Sequence, residues 1–143
     1  MARVLINIDV PDLERATVFY TSTFGLTVGR RLGAAAIELI GASRPIYLLL
    51  KEVGSTASTA SAETRRYERH WTPVHLDFAV DDLDVAIERA LAADATLEDP
   101  PSALDWGKIA HMADPFGHGF CLIQFTERGY DAIATERRPP PSL

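Results

Sequence analysis

The chain has 143 residues, of which 47% are hydrophobic and 24% are charged. Fourteen basic and twenty acidic residues give a formal net charge of -6. This balance is typical of a globular protein and excludes a disordered chain. The negative net charge repels nucleic-acid phosphates. No apolar run approaches the ~18 residues of a membrane span. The single cysteine, Cys121, fits a reducing compartment, so we expect a cytoplasmic protein. From the acidic charge and the lack of a membrane span we expect no nucleic-acid or membrane partner.

Two segments share one pattern at an offset of 70 residues, Ile6 to Ala16 and Leu76 to Ala86. In each, an alternating strand is followed by an aspartate, Asp12 or Asp82, that can cap the first turn of a helix. We predict helices over 13–23 and 83–94. Three strands follow each helix, at 26–32, 34–40 and 46–52 in the first half and at 95–98, 106–113 and 119–125 in the second. The sequence thus predicts an α+β fold of two βαβββ modules.

The same pattern gives the domain organisation, which is a single domain in four parts. We assign residues 1–53 to the first module and residues 71–126 to the second. Residues 54–70, rich in small and hydroxyl side chains, are predicted to be a flexible inter-module linker. Residues 127–143 are predicted to form a short C-terminal helix and a tail that is frayed over 137–143.

Several strings resemble the vicinal oxygen chelate superfamily, which includes glyoxalase I, extradiol dioxygenases and the bleomycin and fosfomycin resistance proteins. In the first half they are Asp9-Val-Pro-Asp-Leu-Glu14, Phe19-Tyr20 and Phe24-Gly-Leu26. In the second half the string is Asp114-Pro-Phe-Gly-His-Gly-Phe-Cys-Leu-Ile-Gln124. The resemblance covers about Arg3 to Phe125 and implies a cupped mixed sheet of the glyoxalase and bleomycin-resistance type.

In metal-dependent members of that superfamily, His, Gln and Glu side chains hold a divalent ion in the cup. The resemblance places the corresponding positions at Leu5, Tyr47, His75 and Cys121. Only His75 matches the ligand pattern, because leucine has no lone pair and a neutral tyrosine is a poor ligand. We therefore expect no metal cofactor. The alternative is a divalent ion at an atypical site in which His75 is joined by His111 or Cys121.

Strand alternation predicts which side chains line the cup. In the first strand Leu5, Asn7 and Asp9 share one face, and the wholly apolar opposite face is expected to pack against the helices. The same alternation in the other strands predicts an apolar pocket with few polar groups. Trp106 is added because its ring can stack on a planar ligand. The predicted ligand-binding residues are Leu5, Asn7, Tyr47, Leu49, His75, Asp77, Trp106, Cys121, Ile123 and Phe125.

Two functions remain open on this basis. One is a metal-free protein that binds an apolar or aromatic small molecule in the cleft. The other is a metal-dependent lyase, isomerase or dioxygenase with an atypical site that includes His75. The face on which His111 lies is not fixed by parity, and His70 and His118 are expected at the surface. Open sheet edges, and dimers among members of the superfamily, lead us to expect a homodimer.

Overall fold

The computed structural model describes residues 1–136, and the predicted tail at 137–143 lies outside this range. The first module consists of strand β1 (Ile6–Val10), helix α1 (Leu13–Phe24) and strands β2 (Thr27–Leu32), β3 (Ala36–Ile40) and β4 (Ile46–Leu50). Asp12 caps α1 by accepting a hydrogen bond from the Arg15 amide at 3.0 Å. Gly25 ends the helix in the left-handed conformation, with φ of 65°. The predicted order of elements is confirmed in this half.

The second module repeats this order with one additional strand. It contains β5 (Leu76–Ala79), α2 (Leu83–Ala92), β6 (Thr96–Leu97), β7 (Ser102–Leu104), β8 (Gly107–Ala113) and β9 (Gly119–Phe125), followed by a 3-10 helix at Gly129–Ala132. The prediction of three strands after the second helix was wrong, because β7 lies between β6 and β8 as a fourth. Pro100 and Pro101 precede this strand, and Ser102–Leu104 then pairs with the start of β8.

The strands form two mixed sheets with the same topology. The first has the order β1-β4-β3-β2 and the second the order β5-β9-β8-β6, with β7 paired to β8. In both, the first strand runs parallel to the last, because the helix carries the chain across the sheet. Both β1 and β5 therefore keep one edge without a paired strand among the described residues. These two edges lie where the modules meet.

The core lies between each sheet and its helix, on the apolar faces that alternation predicts. Val10, Leu48 and Leu122 are fully buried, and Ile6 and Ile8 pack against the same cluster. Helix α2 buries Leu83, Ala86, Ile87 and Ala90. Leu91, which the helical spacing also predicts to face inward, is instead 44% exposed.

The segment between the modules is tied to the first module. An isolated bridge joins Thr56 to Thr64, and the Arg65 guanidinium lies 2.8 Å from the Asp9 carboxylate. Tyr67 donates its hydroxyl to the Lys51 carbonyl at 2.7 Å. These contacts fix the path of the segment along the first module. In the described part of the chain, neither helix has the length and apolar character that a bilayer crossing requires.

The modules are joined by a buried hydrogen bond across 94 residues of sequence. The Tyr20 hydroxyl on α1 donates to Asp114 Oδ2 at 2.7 Å. The other oxygen of Asp114 accepts the amides of Phe116 and His118, each at 2.9 Å. Burial, together with the neighbouring Asp114 charge, raises the pKa of Tyr20 well above its ordinary value, so the hydroxyl stays protonated as a donor.

The Tyr20→Phe variant should lower the free energy of unfolding by about 1 to 3 kcal/mol, because the buried Asp114 carboxylate loses a donor while the ring is kept. Urea unfolding followed by circular dichroism measures this. Tyr130→Phe is the matched control, since the Tyr130 side chain is exposed and makes only ring contacts among the described residues. Equal stability of the two variants would contradict the importance of the Tyr20 to Asp114 bond.

Candidate functional site

In the first module, the face opposite the helix carries a polar network on neighbouring strands. Asn7 on β1 pairs in register with Tyr47 on β4, which in turn pairs with Glu38 on β3. Glu38 accepts the Tyr47 hydroxyl at 2.9 Å and the Arg30 guanidinium at 2.6 Å. These hydrogen bonds lower the pKa of Glu38 to about 2. The Tyr47 hydroxyl is thus held by Glu38 and is not available to a ligand without breaking this bond.

The second module places three predicted site residues side by side. Asp77 on β5 pairs in register with Cys121 on β9, and His75 Nδ1 lies 3.1 Å from Asp77 Oδ1. Donor atoms of the three side chains lie within 4.8 Å of one another. Burial, and then the charge of Asp77, raises the pKa of the Cys121 thiol to about 11. Cys121 is therefore a neutral thiol at physiological pH.

His111 lies on the same sheet face as this trio. It pairs in register with Cys121 across β8 and β9, and alternation gives paired residues the same face. Its Nδ1 lies 2.9 Å from the Asp99 carboxylate, so its nearest charged partner is on the loop after β6. The structure thus decides what parity left open: His111 faces the cleft side of the sheet but is not part of the closely spaced trio.

Two adjoining cavities surround His75. One, of about 530 Å³, lies between the open edge of β1 and the start of β5 and is lined by Leu5, Asn7 and His75. The other, of about 220 Å³, lies over the second sheet and is lined by His75, Asp77, Cys121 and His111 among others. His75, Thr72, Gly119 and Phe120 line both. We call these two cavities together the cleft.

The remaining predicted site residues lie elsewhere. Tyr47 and Leu49 are half-buried on β4 and do not line the cleft, and the Ile123 side chain is buried in the second sheet. Trp106 and Phe125 form a ring cluster with Tyr130 of the 3-10 helix, with centroids 4.9 to 6.0 Å apart. The predicted terminal helix therefore occupies the surface on which those rings were expected to stack a ligand.

The structure adds residues that the sequence pattern did not reveal. Arg69, from the inter-module segment, forms a two-pronged bond with Glu98 at 2.7 and 2.9 Å, and both line the smaller cavity beside Trp71. His118 is not a free surface residue, because its Nε2 lies 2.7 Å from the Asp9 carbonyl. Arg69 and Trp71 lie outside the strands and helices and carry no periodicity, so no sequence signal placed them over the sheet.

The residues at the superfamily's metal positions do not fit a divalent ion. Leu5 offers no donor atom, and the Tyr47 hydroxyl is committed to Glu38. Divalent ions of this kind take about three protein ligands of the nitrogen and oxygen type. His75 is the single matching donor, and the trio that it forms with Asp77 and Cys121 lies within one module rather than between two.

Alkylation of Cys121 by iodoacetamide should be slower at pH 8 than that of a free cysteine, because the thiolate is the nucleophile and the raised pKa keeps its population small. The rate should rise with pH through the alkaline range. Asp77→Asn removes a negative charge beside the thiol, which lowers its pKa and speeds the reaction at pH 8. Mass spectrometry measures the rates. Asp105→Asn, an exposed change, is the control, and equal rates in both variants would contradict the effect of Asp77.

Two curated proteins are similar to this chain over most of its length. The anthracycline biosynthesis protein DnrV of Streptomyces peucetius is 30% identical over 132 residues, which is 90% of this chain and 43% of that protein. DauV of Streptomyces sp. strain C5, also an anthracycline biosynthesis protein, is 25% identical over 139 residues, with the same coverage. The chain thus spans less than half the length of these curated relatives.

Solved structures share the fold. FosX, a fosfomycin resistance protein of Listeria monocytogenes, superposes with a TM-score of 0.67 at 21% identity. The aligned region covers 90% of this chain and 96% of the FosX chain. A mutant of that FosX, solved with manganese(II), gives 0.65 at 18% identity over 89% and 92% of the two chains. A glyoxalase/bleomycin resistance protein/dioxygenase family enzyme of Burkholderia phytofirmans gives 0.68 at 23% identity over 85% and 97%.

The family model of the glyoxalase-like domain matches residues 5–123, which contain both modules. This range begins at β1 and ends in β9, so the duplicated sheets and their helices are the matched unit. The chain therefore belongs to the glyoxalase-like domain family, within the vicinal oxygen chelate superfamily.

Proposed function

We propose that this protein binds an apolar or aromatic small molecule in the cleft around His75, without a metal ion. The observation that carries this proposal is the donor set: an aliphatic side chain, Leu5, stands where an ion would need a ligand. The larger cavity has a volume of about 530 Å³, within the usual range for small-molecule pockets. Its lining is mainly apolar, with Leu5, Ile6 and Phe78 among the contributors.

His75 is the polar contact in this proposal. Its Nδ1 faces Asp77, which orients the ring, and its Nε2 makes no hydrogen bond among the described residues. Because the ring lines both cavities, Nε2 is placed to bond a hydroxyl or carbonyl group of a ligand. An oriented imidazole in a mainly apolar pocket fixes the orientation of a ligand without requiring a charge on that ligand.

The names of the curated relatives suggest the class of ligand. DnrV and DauV are anthracycline biosynthesis proteins. Anthracyclines contain a planar, polycyclic aromatic core with hydroxyl and carbonyl groups at its edge. Such a molecule matches an apolar cavity with an imidazole at its side, so we take a polycyclic aromatic compound of this kind as the first ligand to test.

Titration with the anthracycline daunorubicin, followed by its fluorescence, should show saturable binding to protein prepared in the presence of a chelator. His75→Ala should weaken binding about threefold to tenfold, because one hydrogen bond is lost. Val18→Ala is the control, since Val18 is an exposed residue of α1 outside the cleft. Absence of binding by daunorubicin and by simpler anthraquinones would contradict the proposed ligand class.

A metal-dependent lyase, isomerase or dioxygenase is the second candidate function. The observation that favours it is the spacing of His75, Asp77 and Cys121, whose donor atoms lie within 4.8 Å of one another. Elemental analysis of the purified protein distinguishes the two functions. A stoichiometric metal that is lost in His75→Ala would overturn the metal-free proposal, whereas titration with manganese(II) and zinc(II) without a thermal shift supports it.

We also propose that a second copy of the chain covers the mouth of the cleft. Val4, Leu5 and Val74 line the larger cavity, Trp71 lines the smaller one, and each is at least 63% exposed. The curated relatives are more than twice as long as the segment that matches, which leaves them enough chain for a second pair of modules. A homodimer of this chain would likewise contain two pairs of modules, one pair from each copy.

Light scattering coupled to size-exclusion chromatography should therefore give twice the monomer mass. The double variant Trp71→Ser, Val74→Ser should shift the protein toward the monomer, because apolar area at the interface is lost. Val18→Ser combined with Val53→Ser, two exposed valines away from the cleft, is the matched control. A monomer mass for the unaltered protein over a wide concentration range would contradict the dimer.

A further inference from the structure

The duplication creates two equivalent seams between the modules. In one seam, the turn at 114–118 of the second module contacts β1 and α1 of the first module. In the other, the turn at 41–45 of the first module lies beside β5 and α2 of the second module. Each turn has the same length and joins the last two strands of its module. We call these the closed seam and the open seam.

Three side-chain contacts bridge the closed seam. A buried phenol binds a carboxylate, an imidazole binds a backbone carbonyl, and a guanidinium lies over an aromatic ring. The distances are 2.7 Å from the Tyr20 hydroxyl to Asp114, 2.7 Å from His118 Nε2 to the Asp9 carbonyl and 5.2 Å from the Arg15 guanidinium carbon to the Phe116 ring centroid. Together they bind the turn to the neighbouring module.

The open seam has none of these contacts, because the equivalent residues are different. The 70-residue offset relates β1 to β5 and α1 to α2, and the turns at 41–45 and 114–118 correspond position by position at an offset of 73. The equivalents of the three pairs are Ala90 with Gly41, Ala79 with Pro45, and Val85 with Ser43. Within residues 1–136, no hydrogen bond or ion pair joins the 41–45 turn to β5 or α2.

A cavity of about 790 Å³ lies in the open seam. Its apolar lining includes Phe24 and Phe78, whose rings stack with centroids 3.9 Å apart, together with Leu26, Ile6 and Ile46. This volume is larger than either cavity of the cleft and falls in the range of small-molecule sites. The stacked rings offer an aromatic surface to a planar molecule.

Two guanidinium groups line the same cavity. Arg89, on α2, has no carboxylate partner in the described chain, and Arg44 donates only to the adjacent Ser43 carbonyl. Three carboxylates line the cavity. Asp77, on β5, lies 3.1 Å from His75 Nδ1, and Asp81 and Asp82 lie at the start of α2, about 10 Å along the helix axis from Arg89. Asp82 is in addition engaged as the helix cap. The cationic end of the cavity is therefore separate from its acidic end.

Thr23 provides an unpartnered hydroxyl at this cavity. Its side chain is 4% exposed and its Oγ1 has no hydrogen-bond partner among the described residues. Thr17 and Thr21 on the same helix instead donate to backbone carbonyls at 2.8 and 2.7 Å. A buried hydroxyl without a partner is costly, and rotation about χ1 is the motion by which Thr23 can turn its hydroxyl to an occupant of the cavity.

We propose that the open seam is a second small-molecule site, which adjoins the cleft and shares Ile6, Leu76 and Phe78 with its larger cavity, and that it takes an aromatic carboxylate. The ring system lies against Phe24 and Phe78, and the carboxylate accepts hydrogen bonds from Arg44 and Arg89. Bidentate geometry makes arginine well suited to carboxylate groups. The two arginines and the 41–44 turn do not line the cleft, so changes at these residues test this site independently of the function proposed for the cleft.

The test uses 2-naphthoate as the probe and 2-naphthalenemethanol, which has the same rings but no charge, as the matched ligand. Heteronuclear NMR of the ¹⁵N-labelled full chain should show saturable shifts in the amides of 41–44 and 81–86. The double variant Arg44→Gln, Arg89→Gln should weaken naphthoate binding about tenfold and leave the alcohol nearly unchanged. Arg66→Gln, an exposed arginine outside the cavity, is the charge control.

A second variant tests the cavity itself. Ser43→Phe places at the open seam the side chain that fills the closed seam, and it should abolish binding of both ligands while the spectrum stays that of a folded protein. Shifts confined to residues of the cleft, absence of shifts at millimolar ligand, or unchanged binding in Ser43→Phe would each overturn the proposal. Shifts confined to the cleft would leave the function proposed for the cleft intact.

Discussion

The hydrogen bond between Tyr20 and Asp114 is the interaction on which the arrangement of the two modules depends. It joins α1 to the turn before β9, and both side chains are almost completely buried. Asp114 also accepts two amides of its own turn, so one carboxylate fixes both the turn and the helix beside it. That arrangement places His118 on the Asp9 carbonyl and holds the second module beside the open edge of β1.

The position of the cleft follows from this bond. Because β1 and β5 are edge strands that do not pair with each other, the space between them is set by contacts elsewhere in the interface. The turn at 114–118 supplies those contacts on one side, and Gly117 and His118 line the larger cavity. His75 comes from just before β5 and Leu5 from just before β1, so they share a cavity only because the modules are held in this orientation.

Equivalent backbones with different side chains give this protein its two kinds of seam. The modules repeat the strand and helix order, yet the polar and aromatic residues that bridge one seam are replaced by small or aliphatic residues, or by proline, in the other. Polar contacts stabilise the closed seam, whereas the open seam is bridged by the stacked rings of Phe24 and Phe78 and contains a cavity of about 790 Å³. The cleft shows a related difference: Arg69 and Glu98 pair with each other, whereas His75 Nε2 makes no hydrogen bond among the described residues.

Local patterns along the chain predicted the fold class, the duplication and the inward faces of the strands. Helix caps, alternation and spacing are local properties, so Asp12, Asp82 and the apolar face of β1 were predictable from neighbours along the chain. These patterns missed β7, because pairing after a proline pair depends on the partner strand β8. Tertiary structure alone decided the face of His111, the approach of Arg69 to Glu98 and the removal of Trp106 and Phe125 to a separate ring cluster. Each of these depends on the path of a connecting segment, which carries no periodic signal.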